Sequence, residues 1–274
     1  MKNYNQAPLP FQGQKRRFLG KFKEALKGFP GNATYVDLFG GSGLLAHTVK
    51  QTYPQADVVW NDFDNYQERI DHIADTNNIL ADLRPLLAAE PRDKKVRQEV
   101  REKVLRLVEK AGYVDYVTLS ANILFSGKYV DDLPTLRKET FYNCLRQGEY
   151  GAEGYLQGVQ RVRADYKDIF RQYANRAGVV FLVDPPYLST DTQSYKGGSC
   201  WRLADYFDVL HVLDNCSYFY FTSNKSQIVE LCQWLETRTS NVNPFKYATV
   251  GTTAGNVNFN SAYTDIMLFK KKKR

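Results

Sequence analysis

The chain has 274 residues, of which 43% are hydrophobic and 24% are charged, and its formal net charge at pH 7 is +7. This composition argues against an intrinsically disordered chain, and the length suffices for one large domain or for one domain with a substantial insertion. The basic excess is compatible with a polyanionic partner, but solubility explains a moderate excess equally well.

Histidines and cysteines are few and scattered along the chain. The four cysteines and three histidines show neither the close pairs of a zinc site nor the density of a disulfide scaffold. No window approaches ~18 consecutive apolar residues, and the N-terminal stretch MKNYNQAPLPFQGQKRR has no apolar segment of the signal-peptide type. We therefore expect a cytoplasmic protein with reduced thiols, no metal and no membrane contact.

The first predicted elements form a repeating unit. The segment 33–39 (ATYVDLF) predicts a buried strand, and GGSG at 40–43 predicts a tight turn into a helix from Leu44 to Pro54. A second strand is predicted at 56–62 (ADVVWND). Strand, glycine turn, helix and strand in this order are typical of a parallel sheet.

The middle of the chain has a different character. Residues 92–110 place valines four apart, with charged residues on the other faces, which predicts an amphipathic helix. The next stretch, 113–138, indicates mixed strand and loop. We expect an α/β catalytic domain from residues 1–80 and 160–274, interrupted by an inserted subdomain at 81–159.

The second half returns to alternating helices and strands. The predicted elements are a helix at 163–175, a strand at 180–183, a helix at 201–216, a strand at 218–224, a helix at 225–238 and a final strand at 262–270. This alternation supports one α/β sheet shared by both ends of the chain.

The glycine turn is compatible with two classes of ligand. Gly41, Gly43 and Ala46 satisfy the dinucleotide pattern G-x-G-x-x-G/A between a strand and a helix. Asp62 ends the next strand at about the distance expected for an acid that accepts ribose hydroxyls. S-adenosylmethionine fits the same geometry, with its carboxylate in place of a pyrophosphate. Asp37 favours this second ligand, because a carboxylate repels pyrophosphate but attracts an ammonium and a sulfonium group.

The stretch VFLVDPPYLST at 180–190 combines a buried strand with a rigid turn. Pro185 and Pro186 end the apolar run and leave Asp184 at the carboxyl end of the strand, where open α/β sheets bind ligands. Asp184 and the carbonyl of Pro185 can accept the two hydrogens of an exocyclic amine, and Tyr187 offers a face for a flipped-out base. This pattern favours methyl transfer to an amine nitrogen, whose developing positive charge needs a nearby acceptor.

These motifs resemble the DNA N6-adenine methyltransferase family, represented by the DNA adenine methylase of bacteria and phages. The resemblance rests on DPPY at 184–187, DLFGGSG at 37–43 and PFQGQK at 10–15. It implies a Rossmann-like S-adenosylmethionine-dependent methyltransferase sheet with an inserted, largely helical target-recognition subdomain. The implied catalytic residues are Asp184, Pro185, Pro186 and Tyr187, and the implied cofactor-binding residues are Phe11, Lys15, Asp37, Phe39, Gly41, Gly43, Asp62, Asp165 and Asp184.

The resemblance also implies a substrate and a partner. The expected activity is site-specific methylation of adenine N6 in double-stranded DNA, in a bacterial or phage-infected cell. LSANILFSGKY at 119–129 is similar to a DNA-facing stretch of the family, and the candidate DNA contacts are Lys128, Arg137 and Lys138. The sequence leaves open the recognition site, the oligomeric state and the presence of a cognate restriction endonuclease.

Three alternative functions stay open at the level of sequence. Methylation of RNA or of cytosine N4 uses similar chemistry, although a serine more often replaces Asp184 in cytosine enzymes. A nonenzymatic DNA-binding module would retain the fold without its activity, and the glycine turn alone would also suit a nicotinamide dehydrogenase.

Overall fold

The computed structural model describes residues 2–125, 127–188, 201–214, 216–238, 243–258 and 261–272. The chain forms two compact units. The first, here called the sheet unit, comprises Met1–Gln6, Gln14–Asp64 and Leu156–Arg274, and the second, the helical unit, comprises Ala7–Gly13 and Asn65–Tyr155. The helical unit begins before the expected boundary at 81, and its assignment to target recognition stays a prediction.

In the described residues, the sheet unit contains a seven-stranded sheet with the order β3-β2-β1-β4-β5-β7-β6. The strands are β1 (Thr34–Asp37), β2 (Asp57–Asn61), β3 (Gln160–Val162), β4 (Val179–Val183), β5 (Ser217–Ser223), β6 (Thr249–Asn258) and β7 (Ser261–Lys270). The first five strands are parallel, and β7 runs antiparallel between β5 and β6. This architecture confirms the predicted Rossmann-like α/β class, although the sequence did not indicate β3 or β6.

The helices divide between the two units. In the part of the chain that the structure describes, the sheet unit contains α1 (Leu19–Leu26) and α2 (Leu44–Thr52) followed by three α-helices later in the chain, and the helical unit contains five α-helices that lie between them in sequence. These five are α3 (Tyr66–Asp71), α4 (Ile73–Leu87), α5 (Gln98–Lys110), α6 (Tyr116–Ile123) and α7 (Leu133–Leu136), and the three later ones are α8 (Tyr166–Tyr173), α9 (Leu203–Leu213) and α10 (Ile228–Arg238).

Helices cover both faces of the sheet, as the alternation of side chains along β5 shows. Tyr218 and Tyr220 belong to a buried cluster that includes residues of α8, α9 and α10. Phe219 and Phe221 contact the opposite layer, where the ring of Phe22 in α1 lies 5.0 Å from that of Phe219 and 6.0 Å from that of Phe221. Burial on both faces explains the unbroken aromatic run of this strand.

The helical unit has its own apolar core between α4, α5 and α6. Val100, Val104 and Val108 are buried on one side of α5, as their spacing predicts. This helix begins at Gln98 and not at residue 92, because Asp93 lies in a turn with a φ of +57°, Arg97 has an extended backbone and the N–H of Val96 donates to the carbonyl of Phe141.

The stretch 113–138 contains two helices where its composition predicts mixed strand and loop. Asp115 and Asp132 explain the difference, because their carboxylates accept hydrogen bonds from backbone N–H groups in the first turns of α6 and α7. The carboxylate of Asp115 also lies 3.0 Å from Nε of the buried Arg69. Local capping and a tertiary ion pair therefore outweigh the β-branched composition.

Candidate active site

Three of the predicted acids lie at the carboxyl ends of adjacent parallel strands. Asp37 is the last residue of β1, Asp62 directly follows β2, and Asp184 directly follows β4. Strand pairing places Asp37 opposite Trp60 of β2 and Leu182 of β4. The three strands therefore end together, and their acids share the edge at which open α/β sheets bind ligands.

The glycine turn between β1 and α2 has no room for a side chain at Gly40 or at Gly43. A Cβ on Gly40 would lie 2.1 Å from Cδ1 of Trp60, and a Cβ on Gly43 would lie 2.8 Å from Cδ1 of Leu156. Gly41 and Gly43 have φ values of +47° and +76°, in the left-handed region that favours glycine. The turn closes by a 2.7 Å hydrogen bond from the N–H of Gly43 to the carbonyl of Gly40, directly before α2 begins. Such a turn lets a ligand approach the backbone closely.

Asp37 carries a carboxylate that is completely buried. Among the described residues, no donor makes a hydrogen bond of normal geometry with either of its oxygens. Burial, followed by the neighbouring Asp184 carboxylate, raises the pKa of Asp37 to about 8, while the backbone N–H groups of Ala46 and Phe39 and the Lys15 ammonium oppose the rise. A buried carboxylate whose ionised form is disfavoured in this way is suited to a cationic ligand, which stabilises the ionised form.

Lys15 and the DPPY turn meet in the sheet unit. Nζ of Lys15 lies 2.5 Å from Oδ2 of Asp184 and 5.5 Å from the centroid of the Tyr187 ring. Pro185 and Pro186 are buried, whereas Tyr187 is half-buried. Burial raises the pKa of Asp184, and the Lys15 ammonium opposes that rise. The lysine of the N-terminal motif and the acid of the DPPY motif therefore form one charged pair.

Asp62 is completely buried and lies beside β3. Its N–H donates to the carbonyl of Val162 at 2.8 Å, and its Oδ2 lies 2.8 Å from Nε of Arg161. Both partners belong to β3, a strand that the sequence did not reveal. The acid expected to face ribose hydroxyls is thus fixed by the neighbouring strand.

Three other residues that were predicted to bind the cofactor contact neighbouring groups of the protein. The ring of Phe39 packs at 4.8 Å on that of Tyr166. Asp165 is exposed and caps the N-terminus of α8 with its carboxylate. Phe11 belongs to the helical unit, where its ring lies 5.7 Å from that of Tyr66. Their roles in cofactor binding stay predictions.

The candidate DNA contacts all lie in the helical unit. Nζ of Lys128 lies 2.7 Å from Oε1 of Glu139, and Arg137 forms an ion pair with Glu109. Lys138 is exposed. Surface ion pairs of this kind contribute little free energy. Pairing with glutamate therefore does not prevent Lys128 and Arg137 from making the proposed phosphate contacts.

Sequence reasoning missed three residues of this edge. The glycine pattern in the sequence points to Gly41 and Gly43 and not to Gly40. No sequence motif marks Arg161. Asp265 lies on β7 and interacts electrostatically with Lys15 and Arg17. Its only signal in the sequence is an acid within the otherwise apolar and hydroxyl-bearing strand AYTDIMLFK.

Outside this edge, the sheet unit has a cavity of about 1080 Å³ lined by residues of α1, α9, α10 and the end of β7. The described lining includes none of the predicted site residues. In the described part of the chain, no group of His, Cys, Asp and Glu side chains is arranged to hold a metal ion. No helix among those residues is long and apolar enough to cross a membrane.

No protein-family model matches the chain, but the sequence is similar along its length to a known protein. A protein of Haemophilus influenzae named "Putative methyltransferase" is 36% identical to this chain over 277 residues. The match covers 98% of this chain and 93% of the relative. Together with the Rossmann-like sheet, a likeness that extends along both proteins shows that the chain belongs to a methyltransferase family.

Proposed function

We propose that the protein transfers a methyl group from S-adenosylmethionine to N6 of a flipped-out adenine in duplex DNA. The observation that carries this proposal is the DPPY turn of residues 184–187, which directly follows β4. This strand pairs with β1, whose last residue is the buried Asp37. One acid is suited to a cationic methyl donor and the other to an amine that becomes cationic as it is methylated.

The donor half of the site consists of Asp37, the glycine turn at 40–43 and Asp62. Its charge and the space beside the turn suit S-adenosylmethionine. The carboxylate of Asp37, which lacks a hydrogen bond of normal geometry from the described residues, is suited to an ammonium or sulfonium group. The glycine turn at 40–43 gives a ligand close access to backbone N–H groups, and Asp62 can accept ribose hydroxyls. When bound there, the cofactor supplies an electrophilic methyl group.

The acceptor half consists of Asp184, Pro185 and Tyr187. The Asp184 carboxylate and the carbonyl of Pro185 accept the hydrogens of the exocyclic amine and orient its lone pair. Proline rigidity keeps the two acceptors in place, and the half-buried Tyr187 stacks on the base. Asp184 then stabilises the positive charge that develops on the amine nitrogen.

Three features bear on the alternatives. An aspartate at position 184 favours adenine over cytosine as the target base. The buried Asp37 disfavours the pyrophosphate of a nicotinamide cofactor, because both groups are anionic. The intact DPPY sequence disfavours a binding module that has lost catalysis.

Labelled S-adenosylmethionine tests the proposal directly. The full-length protein is incubated with duplex DNA and, separately, with RNA, and the products are digested to nucleosides and separated. We expect label in N6-methyl-2′-deoxyadenosine from DNA. Asp184→Asn should reduce the rate by about 10²-fold or more, because an acceptor aimed at the developing charge is lost.

The matched control for this experiment is Asp57→Asn, which changes an exposed aspartate at the start of β2. This variant should retain the activity of the unmodified protein. Label in cytosine, or label in RNA alone, contradicts the adenine-DNA proposal, and full activity of Asp184→Asn contradicts the role of the DPPY turn.

Duplex DNA is the proposed partner, and the helical unit supplies the candidate contacts. Lys128, Arg137 and Lys138 present positive charge on its surface. If they contact phosphates, replacing each by Gln weakens DNA binding and flattens its salt dependence without changing the methylated sequence. Loss of binding without a change in salt slope contradicts a phosphate contact.

A further inference from the structure

The segment that leads into the N-terminal motif is held by two side chains of α3. Residues 7–15 form neither helix nor strand, so the course of their backbone depends on contacts with other segments. The hydroxyl of Tyr66 accepts a hydrogen bond from the N–H of Leu9 at 2.9 Å and donates one to the carbonyl of the same residue at 3.0 Å. Nη2 of Arg69 donates to the carbonyl of Pro10 at 2.7 Å. Tyr66 and Arg69 thus bind three backbone groups of two adjacent residues.

Arg69 is itself fixed by a buried network within the helical unit. Its Nε lies 3.0 Å from Oδ2 of Asp115, and its Nη2 donates to Oγ1 of Thr118 at 3.2 Å. The Thr118 hydroxyl donates to the same carboxylate at 2.6 Å. The side chains of Arg69 and Asp115 are 9% and 1% exposed, so water competes little with these contacts. The planar guanidinium is therefore held in one orientation, with one of its donors directed at Pro10.

Phe11 directly follows the two residues that α3 holds. Its ring packs against that of Tyr66, with the centroids 5.7 Å apart and the ring planes nearly perpendicular. Tyr66 is completely buried, and Cζ of Arg69 lies 5.0 Å from the centroid of its ring, whereas Phe11 is partly exposed. A ring that is packed on one side and accessible on another can contact a ligand with little loss of conformational freedom.

We propose that Tyr66 and Arg69 are positioning residues for S-adenosylmethionine, because they hold the backbone that carries the Phe11 ring. This inference rests on the proposed function, since it uses the assignment of Phe11 to the cofactor. Tyr66 and Arg69 do not touch the cofactor and act only through the segment at Leu9 and Pro10. The helical unit therefore contributes to cofactor binding as well as to the proposed DNA recognition.

A purely structural role of these two side chains has a different kinetic signature. A less stable variant contains fewer folded molecules, which lowers the apparent kcat, but the folded molecules bind the cofactor with unchanged affinity. Loss of positioning weakens cofactor binding, so KM for S-adenosylmethionine rises while kcat at saturating cofactor stays the same. Cofactor affinity and kcat therefore distinguish the two roles.

Tyr66→Phe tests the inference with the smallest change. It keeps the buried ring beside Phe11 and removes only the hydroxyl that holds Leu9. We expect the Kd of the full-length protein for S-adenosylmethionine, measured by calorimetry, to rise by about fivefold to tenfold. KM for the cofactor should rise by the same factor, and kcat should change by less than about twofold.

Tyr218→Phe is the matched control in the sheet unit. Tyr218 is also completely buried, and its hydroxyl donates to the carbonyl of Pro244 at 2.8 Å. This variant also loses a buried hydrogen bond to the backbone, and so loses stability, but it should bind the cofactor with unchanged affinity. Equal cofactor affinities of Tyr66→Phe and Tyr218→Phe overturn the inference.

Arg69→Lys tests the second positioning residue. Lysine keeps a positive charge beside Asp115 but lacks the planar fork that reaches Asp115, Thr118 and Pro10 together. Cofactor affinity should fall by about threefold or more, again with little change in kcat. Unchanged affinity in Arg69→Lys contradicts the role of this residue.

Hydrogen exchange measures the contact with Leu9 in the absence of cofactor and DNA. The Leu9 amide should exchange at least about tenfold faster in Tyr66→Phe than in the unmodified protein, and no faster in Tyr218→Phe. Unchanged protection of this amide in Tyr66→Phe overturns the inference. If the unmodified protein binds S-adenosylmethionine but methylates no DNA, the proposed function fails, while the comparison of cofactor affinities still decides the positioning role.

Discussion

The ammonium of Lys15 lies 2.5 Å from Oδ2 of Asp184, and this pair joins the segment that precedes α1 to the carboxyl end of β4. The two side chains are only 10% and 17% exposed. Loss of one partner from such a pair leaves a charge in a poorly hydrated site. The same contact therefore stabilises the fold and neutralises charge on the acid that is proposed to accept the amine.

Lys15→Met should destabilise the protein by about 3 kcal/mol near neutral pH and by less in acid. The pKa of Asp184 is already raised by burial, and loss of Lys15 raises it further. A carboxyl whose folded-state pKa exceeds its unfolded value contributes stability that is complete below the unfolded pKa and is lost as pH rises through the folded pKa. Urea unfolding at pH 5 and pH 8 measures the difference.

Lys27→Met is the matched control for this prediction. Lys27 pairs with Glu24, but the two side chains are 70% and 71% exposed, so the pair contributes little. Its variant should unfold at nearly the same urea concentration as the unmodified protein at both pH values. A Lys15→Met variant that behaves in the same way would show that the Lys15 pair is unimportant for stability.

Binding of S-adenosylmethionine should release a proton from Asp37 below about pH 8. In the ligand-free protein, burial and Asp184 raise the pKa of Asp37 to about 8, so the acid is mostly protonated at pH 7. A cationic ligand favours the ionised form and lowers that pKa again. Affinity should therefore fall by up to about tenfold for each pH unit below this value.

Calorimetry in buffers of different ionisation enthalpy measures this proton directly. We expect release of nearly one proton at pH 6.5 and of almost none at pH 9. Asp37→Asn should bind more weakly and release no proton from this position. Equal affinity of the unmodified protein at both pH values would contradict the assignment of the cationic part of the ligand to Asp37.

The glycine turn gives a prediction about stability and ligand access. Gly40→Ala should destabilise the protein by about 1–3 kcal/mol, because its Cβ would lie 2.1 Å from Cδ1 of Trp60 and 2.9 Å from the carbonyl of Asn61. Gly43→Ala adds strain at a φ of +76° to a short contact with Leu156. Thermal unfolding and cofactor titration measure both effects.

Gly20→Ala is the control for the glycine substitutions. Gly20 lies inside α1, and a Cβ there would meet no atom within 4 Å. Alanine has the higher helix propensity, so this variant should be stabilised by about 0.5–1 kcal/mol. A loss of stability equal to that of Gly40→Ala would show that the tight packing of the turn is not the cause.

The sequence predicts the parts of the site that depend on local order. Asp37 and Asp184 follow short apolar runs, which predict buried strands, and Gly41 and Gly43 lie where a strand turns into a helix. Because parallel strands end at one edge, the meeting of these residues follows from the order of elements. The fold class was predictable for the same reason.

The remaining parts depend on contacts between distant segments. Asp62 is held by Arg161, which is 99 residues away in sequence on a strand of only three residues. The interaction of Asp265 with Lys15 depends on the antiparallel insertion of β7 beside β5. Such pairings leave no periodic pattern, so propensity and spacing could not reveal them.

Substitutions of Asp62 and Arg161 should separate ligand binding from stability. Asp62→Ala removes the acid assigned to the ribose hydroxyls and should weaken cofactor binding by about tenfold or more. Arg161→Met should change the affinity by less than about threefold, because the guanidinium is assigned to the protein and not to the ligand. It should still destabilise the fold by about 1–2 kcal/mol, since Asp62 is completely buried while the Arg161 side chain is 41% exposed. Calorimetry and urea unfolding on both variants give the two quantities, and an affinity loss in Arg161→Met as large as that in Asp62→Ala would assign ligand binding to the ion pair as a whole.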